Sequence, residues 1–185
     1  MAKMNDNYYV SEYETPVGKV YMAADEAGLV GLWIEGQLHF AKILGGAEAV
    51  EKALACDEGG NASKPKAFRL TRRWLDIYFQ GREPDFTPPL HFIGTDFQIE
   101  VWEILMQIPY GETTTYGEIA EELAQRRGIK RMSAQAVGGA VGRNNISIIV
   151  PCHRVIGADG SLTGYAGGTD IKAKLLRIEG AQWKE

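Results

Sequence analysis

Apolar and polar positions alternate in three short runs between residues 8 and 35. The segments TPVG and DEAG, both rich in turn-forming residues, separate the runs. A period of two with turns at this spacing predicts a β-meander of three strands. Residues 37–60 carry a mixed pattern that favours one helix and runs into the loop-like segment CDEGGNASKP.

The pattern then changes to helical spacing in AFRLTRRWLDIYFQG, where Phe68, Leu70, Trp74 and Tyr78 fall on one face. Gly81 is expected to end this helix. The next stretch, REPDFTPPLHF, holds three prolines and is typical of a linker. We therefore predict two domains, comprising residues 1–92 and 93–185.

The second half begins with two sequence signatures of a helix start. Thr95 with Gln98, and Thr115 with Glu118, form capping boxes, in which each side chain satisfies a free amide at the helix end. Ser133 is a further candidate N-cap, for a helix over SAQAVGGAVGRN. These patterns predict a mainly helical second domain.

The remaining segments complete the fold prediction. ISIIV, residues 146–150, is predicted to be a short strand, and a glycine-rich loop leads to a last helix from about Ile171 to Gly180. The fold class is α/β (α+β). A small N-terminal sheet-plus-helix domain precedes a mainly helical domain that has a helix-turn-helix and a short active-site strand.

Composition places the chain among ordinary water-soluble proteins, with 185 residues, 45% hydrophobic and 24% charged. No apolar run reaches membrane-spanning length and no signal-peptide core precedes the first strand, so a cytoplasmic location is expected. Cys56 and Cys152 are the only thiols, and the three histidines do not cluster with them at zinc spacing. We expect no metal and no cofactor.

The net charge of −4 argues against a generally basic nucleic-acid binder, but the charge is unevenly distributed. No Asp or Glu occurs between Leu123 and Ala158. The basic island within this window consists of Arg126, Arg127, Lys130, Arg131, Arg143 and Arg154. It is either a solvated face or the contact surface for an anionic partner.

Two predicted helices joined by a turn suggest a helix-turn-helix, although this turn is longer than usual. The second helix has almost no side-chain bulk, because Gly138, Gly139 and Gly142 alternate with alanines. Each glycine costs a helix roughly 1 kcal/mol. Such a bare face favours either tight packing inside the domain or insertion into a narrow groove.

The segment SIIVPCHRVIG places Cys152 between Pro151 and His153. A thiol has a pKa of about 8.5, and its reactive form is the thiolate. His153 and Arg154 can supply a proton acceptor or positive potential. Cys152 is therefore either a buried small hydrophobe or a nucleophile, whereas nothing around Cys56 suggests reactivity.

These segments together resemble the O6-alkylguanine-DNA alkyltransferases, also called methylated-DNA–protein-cysteine methyltransferases. PCHRV at 151–155 is similar to the active-site motif of that family. Further similar segments, in the family's order, are FQIEVWEIL, TYGEIA, AVGGAVGRN, TGYAGG and LLRIEG. The resemblance covers nearly the whole chain, and it implies a ribonuclease-H-like first domain.

The resemblance implies stoichiometric repair of O6-methylguanine, and of O4-methylthymine, in duplex DNA. The base is flipped out of the helix, because its alkyl carbon cannot be reached within the stack. Cys152 then attacks that carbon and keeps the alkyl group. His153 would deprotonate Cys152 through a water molecule, and Glu179 would orient His153.

Other residues receive roles from the same resemblance. Asn144 would be the hinge between the recognition helix and the active site, and Tyr116 would hydrogen-bond the base at N3. The Val155 and Cys152 carbonyls would accept from the guanine amino group. Tyr165 and the Ala166 amide would form the pocket wall and meet O6.

The predicted recognition helix would enter the minor groove. The residues implied to contact DNA are Ser133, Gln135, Ala136, Arg143 and Arg131. Gln135 departs from the family, which commonly has an arginine finger at this position to fill the space of the flipped base. The long turn QRRGIKRM is a second departure, which adds candidate phosphate contacts. The expected partner is double-stranded DNA, and the protein is expected to be a monomer.

Three alternative functions have to be considered. A lesion-binding relative without repair activity would lack the cysteine, which is present here. A cysteine hydrolase would usually take its histidine from a distant part of the chain, whereas His153 is adjacent to Cys152. A helix-turn-helix regulator without chemistry would need neither PCHRV nor Glu179.

Overall fold

The computed structural model describes residues 2–4, 8–55 and 65–184. By its internal contacts the chain divides into two units. The first contains the residues up to Ile93 together with Asn145–Ser147, and the second contains Gly94–Asn144 and Ile148–Glu185. No helix among the described residues is long and apolar enough to cross a membrane.

The first unit is built on an antiparallel sheet of four strands in the order β1-β2-β3-β4. The strands are β1 (Ala2–Met4), β2 (Tyr8–Thr15), β3 (Gly18–Ala24) and β4 (Leu29–Ile34). The predicted meander is confirmed as β2–β4, while the sequence pattern did not reveal β1. Every residue of β4 is buried, so its continuous apolar run packs on both faces.

A 3₁₀ turn (Lys42–Leu44) and two helices, α1 (Ala47–Ala55) and α2 (Lys66–Tyr78), complete the first unit. Trp33, Val50 and Ala53 pack in one apolar cluster that joins the sheet to α1. The predicted linker also pairs with the sheet, because the Leu29 amide donates to the Pro89 carbonyl and the His91 amide donates to the Leu29 carbonyl.

The second unit is mainly helical. Its elements are α3 (Asp96–Leu105), β5 (Thr114–Thr115), α4 (Tyr116–Arg126), α5 (Ala134–Val141), β6 (Val155–Ile156) and α6 (Thr169–Glu179). Both predicted capping boxes and the Ser133 N-cap are confirmed. The buried Trp102 indole donates to the Ala140 carbonyl and links α3 to α5.

The strand predicted for residues 146–150 is wrong. Only Ile146 forms a bridge, a parallel one with Leu32 of β4, and residues 147–149 form a turn. Ile148 has φ of +71°, a left-handed conformation that a β-branched residue rarely adopts. The apolar run reflects burial of the whole segment rather than strand pairing.

Candidate active site

Cys152 lies in a 3₁₀ turn, Cys152–Arg154, that follows Pro151. The Arg154 amide donates to the Pro151 carbonyl, and the Val155 amide donates to the Cys152 carbonyl. Val155 then begins β6, which pairs in parallel with β5. The cysteine backbone is thus fixed between a proline and a strand.

The Cys152 side chain is buried, with the residue 5% exposed, and an amide is directed at its sulfur. Asn144 Nδ2 lies 3.1 Å from Cys152 Sγ and also donates to the Val150 carbonyl at 2.8 Å. A hydrogen bond to the sulfur favours the thiolate over the thiol. Asn144, expected among the active-site residues as a hinge, is therefore also placed to stabilise the ionised sulfur.

Glu179, at the end of α6, holds the other two side chains of the turn. His153 Nε2 lies 2.6 Å from Glu179 Oε1, and Arg154 donates to both carboxylate oxygens, at 2.8 and 3.2 Å. The side chains of His153 and Glu179 have no exposed surface. The sequence-predicted residues Cys152, His153 and Glu179 are thus brought together with Arg154.

Burial and pairing set the protonation states of these groups. Burial lowers the pKa of His153, which outweighs the opposing effect of Glu179, and burial raises the pKa of Cys152. Burial alone would raise the pKa of Glu179, but His153 and Arg154 lower it to about 2. At neutral pH the site therefore holds a thiol, a neutral imidazole and a carboxylate.

The carboxylate also selects the histidine tautomer. A neutral imidazole carries one proton, and the contact with Glu179 assigns that proton to Nε2. The basic lone pair is then on Nδ1. Nδ1 of His153 is therefore the nitrogen that can accept a proton, and Glu179 can stabilise the imidazolium that would result.

The loop after α3 also forms hydrogen bonds with Arg154 and Glu179. Arg154 donates to the Ile108 carbonyl at 2.6 Å, and the Gly111 amide lies 3.3 Å from Glu179 Oε2. Gly111 has φ of +79°, and a Cβ on it would lie 2.9 Å from the Glu179 carbonyl oxygen. A glycine is therefore required here both by conformation and by space.

We expect Gly111→Ala to destabilise the protein more than Gly128→Ala does. Both glycines have positive φ, but a Cβ on Gly128 would meet nothing within 4 Å. The control should lose roughly 1–2 kcal/mol from left-handed strain alone, and Gly111→Ala should lose more because it also displaces Glu179. Urea unfolding measures both variants, and equal losses would show that the contact with Glu179 relaxes freely.

The remaining predicted pocket residues lie around the turn. The half-buried Tyr116 is directed at the Gly164 carbonyl, at 3.4 Å, and burial raises its pKa, so it stays a phenol. Tyr165 and Ala166 are half-buried in the loop that follows. The Val155 carbonyl already accepts from Lys172, although a carbonyl has a second lone pair for a base.

Helix α5 buries one face and exposes another. Its buried residues are Val137, Ala140 and Val141. The exposed face carries Ser133, Gln135, Ala136, Gly139, Gly142 and Arg143. Apart from the buried Ala140, and from Gly138, which the ring of Tyr116 approaches, the small residues lie on the solvent side. This arrangement fits the groove interpretation of the bare helix better than internal packing.

The basic island is smaller than its sequence suggests. Arg126 pairs with Glu122, Arg127 pairs with Glu100, and the buried Arg154 pairs with Glu179. Charge counting along the chain missed these carboxylates because two of the three lie far from the island in sequence. Within the basic island, the side chains for which the described residues provide no ion pair are Lys130, Arg131 and Arg143.

Two family models match the chain, one in its first half and one in its second half. Residues 8–92 match the family model for the ribonuclease-like domain of 6-O-methylguanine DNA methyltransferase, and residues 96–181 match the model for its DNA-binding domain. A methylated-DNA–protein-cysteine methyltransferase of Methanosarcina acetivorans is 42% identical over 94% of this chain and 99% of its own length.

The chain belongs to the 6-O-methylguanine DNA methyltransferase family. A Mycobacterium tuberculosis relative of the same name is 50% identical over 115 residues, 62% of this chain. The crystal structure of Mycobacterium tuberculosis OGT in complex with DNA has a TM-score of 0.71 and 37% identity, and covers 92% of each chain. The predicted fold class is confirmed by these methyltransferase relatives.

Two further features of this methyltransferase concern metal ions and thiols. The described residues hold no cluster of three or more metal-ligating side chains. Cys56, interpreted as unreactive, lies outside the described residues, and among those that are described Cys152 is the free cysteine.

Sequence reasoning missed one residue of this methyltransferase site. Lys172 of α6 is completely buried, and its ammonium reaches the Val155 carbonyl. A signal was present, because Lys172 and Glu179 flank Leu175 and Leu176 at the 3, 4 and 7 spacing of one helix face. Two charged residues on an apolar stripe indicate a polar site beneath the helix.

Proposed function

We propose that this protein repairs DNA by transferring the alkyl group of O6-methylguanine, and of O4-methylthymine, irreversibly to Cys152. The observation that carries the proposal is a buried thiol that contacts the Asn144 amide, beside a histidine held by a buried carboxylate. Such a site suits a single nucleophilic attack in a water-poor pocket.

The chemistry balances without a cofactor. His153 takes the thiol proton through a water molecule, the sulfur bonds to the methyl carbon, and the C–O6 bond breaks with its electron pair staying on guanine. Tyr116 donates a hydrogen bond to the departing base, which then takes up the proton that His153 received from the thiol. The net result exchanges one hydrogen of the thiol for one methyl group. Because a thioether does not reverse, each molecule acts once.

DNA recognition rests on the exposed face of α5. Its small residues suit a helix that enters the minor groove, and Gln135 is exposed near the start of the helix, where it can fill the space of a flipped base. The Mycobacterium tuberculosis relative was crystallised in complex with DNA, which supports DNA as the partner of this protein. We further propose action as a cytoplasmic monomer, with domains 1–92 and 93–185.

Intact-protein mass spectrometry tests the function directly. The protein is mixed with a duplex that contains one O6-methylguanine, and with the same duplex unmodified. Only with the methylated duplex should the protein gain mass, by one methyl group in place of one hydrogen. Each protein molecule should take up at most one methyl group. Repeated turnover, or no mass change with a bound lesion, would contradict the proposal.

The ion pairs of the basic island lead to a prediction about how the affinity for DNA depends on salt concentration. We expect the triple variant Lys130→Gln, Arg131→Gln, Arg143→Gln to reduce the slope of log affinity against log salt by about 2–3, since each lost phosphate contact removes about 0.9. The control variant Arg126→Gln, Arg127→Gln should keep the slope, because those arginines are already paired. Fluorescence anisotropy across a salt series measures both, and an unchanged slope for the triple variant would remove the three residues from the DNA contact.

A further inference from the structure

Helix α2 of the first unit has one buried face and one basic face. The helix contacts β2 and β3, and its buried residues are Ala67, Phe68, Thr71, Trp74, Leu75 and Tyr78. Lys66, Arg69 and Arg73 are exposed on the opposite side. Residues three and four positions apart are neighbours on a helix surface, so the three cations form one line. We call these three residues the α2 basic face.

The α2 basic face lies in a segment of the chain without acidic residues. No Asp or Glu occurs between Glu58 and Asp76, although the whole chain has a net charge of −4. Arg72 is directed away from the line, because it donates to the Ser11 hydroxyl of β2 at 2.7 Å. The positive charge of the helix is therefore concentrated on its exposed side.

The carboxylates around α2 do not neutralise this charge. Asp76, one turn further along the helix, accepts from a tyrosine hydroxyl. Asp25 and Glu26 line one cavity together with Lys66, but Asp25 is paired with His91. Within residues 8–55 and 65–184, no carboxylate forms an ion pair with the α2 basic face. All three cations are thus available to an anionic partner.

The arginines of the α2 basic face suit phosphate as that partner. The Arg73 guanidinium lies over the ring of Phe86, 5.4 Å from its centroid. Contact with a ring face restrains a guanidinium without using its N–H donors. Arginine binds phosphate through two parallel hydrogen bonds, which a restrained guanidinium forms at a smaller entropic cost. Two of the three cations have this side chain.

The spacing of the cations favours a nucleic-acid backbone. A helix rises about 1.5 Å per residue, so the line from Lys66 to Arg73 is about 10 Å long. One strand of duplex DNA carries a phosphate about every 3.4 Å along its axis, and the line therefore matches about three phosphates. A membrane-binding helix would add large exposed apolar side chains. Among the described residues those are Leu38 and Ile129, and neither belongs to α2.

We propose that the α2 basic face is a second DNA-binding surface of this protein, which binds the phosphate backbone of duplex DNA. The choice of DNA as the partner rests on the proposed function. Phosphate contacts carry no sequence information, so this surface binds undamaged and damaged duplexes alike. It lies in the first unit, and its contribution is separate from that of α5 and from the chemistry at Cys152.

The test measures the affinity for an unmodified duplex in a background that lacks the unpaired cations of the basic island, Lys130→Gln, Arg131→Gln, Arg143→Gln. The remaining affinity should fall about 40-fold between about 50 and 200 mM salt, as expected for about three phosphate contacts. Adding Lys66→Gln, Arg69→Gln, Arg73→Gln should abolish most of this fall, because the α2 basic face then releases no counterions. Fluorescence anisotropy across a salt series measures both proteins.

Two control variants are made in the same background. The first, Lys42→Gln, Lys52→Gln, Lys174→Gln, removes the same charge from exposed positions outside α2 and should keep the salt dependence. The second, Arg69→Lys, Arg73→Lys, keeps the charge of the α2 basic face and should also keep the salt dependence. Glutamine and lysine both favour helices, so all the variants should fold like the wild type, which urea unfolding checks.

The inference is overturned if the background protein retains no salt-dependent binding, or if the substitutions on α2 leave that binding unchanged. The same result overturns it if the first control weakens binding as much as the α2 substitutions do. Methyl transfer by a protein that fails this test leaves the proposed function intact. A protein that binds DNA through the α2 basic face but never accepts a methyl group refutes the proposed function and leaves this surface intact.

Discussion

Cys152→Ala should abolish methyl transfer from an O6-methylguanine duplex while the affinity for that duplex stays close to wild type. The reaction needs a nucleophilic sulfur, and alanine supplies none. The fold should tolerate the change, because alanine is smaller than cysteine and Asn144 keeps its hydrogen bond to the Val150 carbonyl. Intact mass spectrometry measures the transfer, and fluorescence anisotropy measures the affinity.

Cys56→Ala is the matched control. It removes the other thiol of the chain, and it should leave the rate and the extent of transfer unchanged. Peptide mapping of the alkylated wild type should find the methyl group only on the peptide that contains residue 152. A methyl group on the peptide with residue 56 would show that Cys56, and not Cys152, is the nucleophile, and would contradict the prediction.

Glu179→Gln should lower the free energy of unfolding by about 3–5 kcal/mol, the usual cost of removing one partner of a buried ion pair. The Arg154 guanidinium stays buried, at 9% side-chain exposure, without its carboxylate. The neutral amide also stabilises an imidazolium less well, so methyl transfer by the folded variant should slow markedly. Urea unfolding and single-turnover transfer measure the two effects, with the exposed Glu121→Gln as control.

The same substitution should change the acid sensitivity of the protein. The folded state lowers the pKa of Glu179 from 4.5 to about 2. Its ionisation therefore stabilises the fold above pH 4.5, and that contribution is lost as the pH falls towards 2. Glu179→Gln should lack this part of the acid dependence. A variant whose stability falls with pH as steeply as the wild type would show that other carboxylates dominate acid unfolding.

Local rules predicted the elements that local interactions build. The capping boxes at Thr95 and Thr115 place the starts of α3 and α4 correctly, because each box closes within four residues. The strand predicted for residues 146–150 is wrong because pairing between strands depends on residues far away in the sequence. An apolar run shows that a segment is buried, but it does not contain the turn at Ile148.

The candidate site was predicted in its residues but not in its geometry. Resemblance to the family indicated Cys152, His153 and Glu179, whereas the Asn144 contact with the sulfur depends on two segments that meet only in the fold. The pairing of Arg127 with Glu100 likewise spans 27 positions. Long-range pairs of this kind decide which charges stay available to DNA, and no local pattern encodes them.

During synthesis, Leu32 leaves the ribosome long before the residues that pair with its backbone. The Leu32 amide donates to the Asn145 carbonyl, and the Leu32 carbonyl accepts from the Ser147 amide. Domains usually fold from the N-terminus as the chain emerges. Here the part of the β4 edge at Leu32 stays open until more than a hundred further residues have left the ribosome. During that interval the nascent chain exposes an unpaired strand edge, the feature through which proteins aggregate.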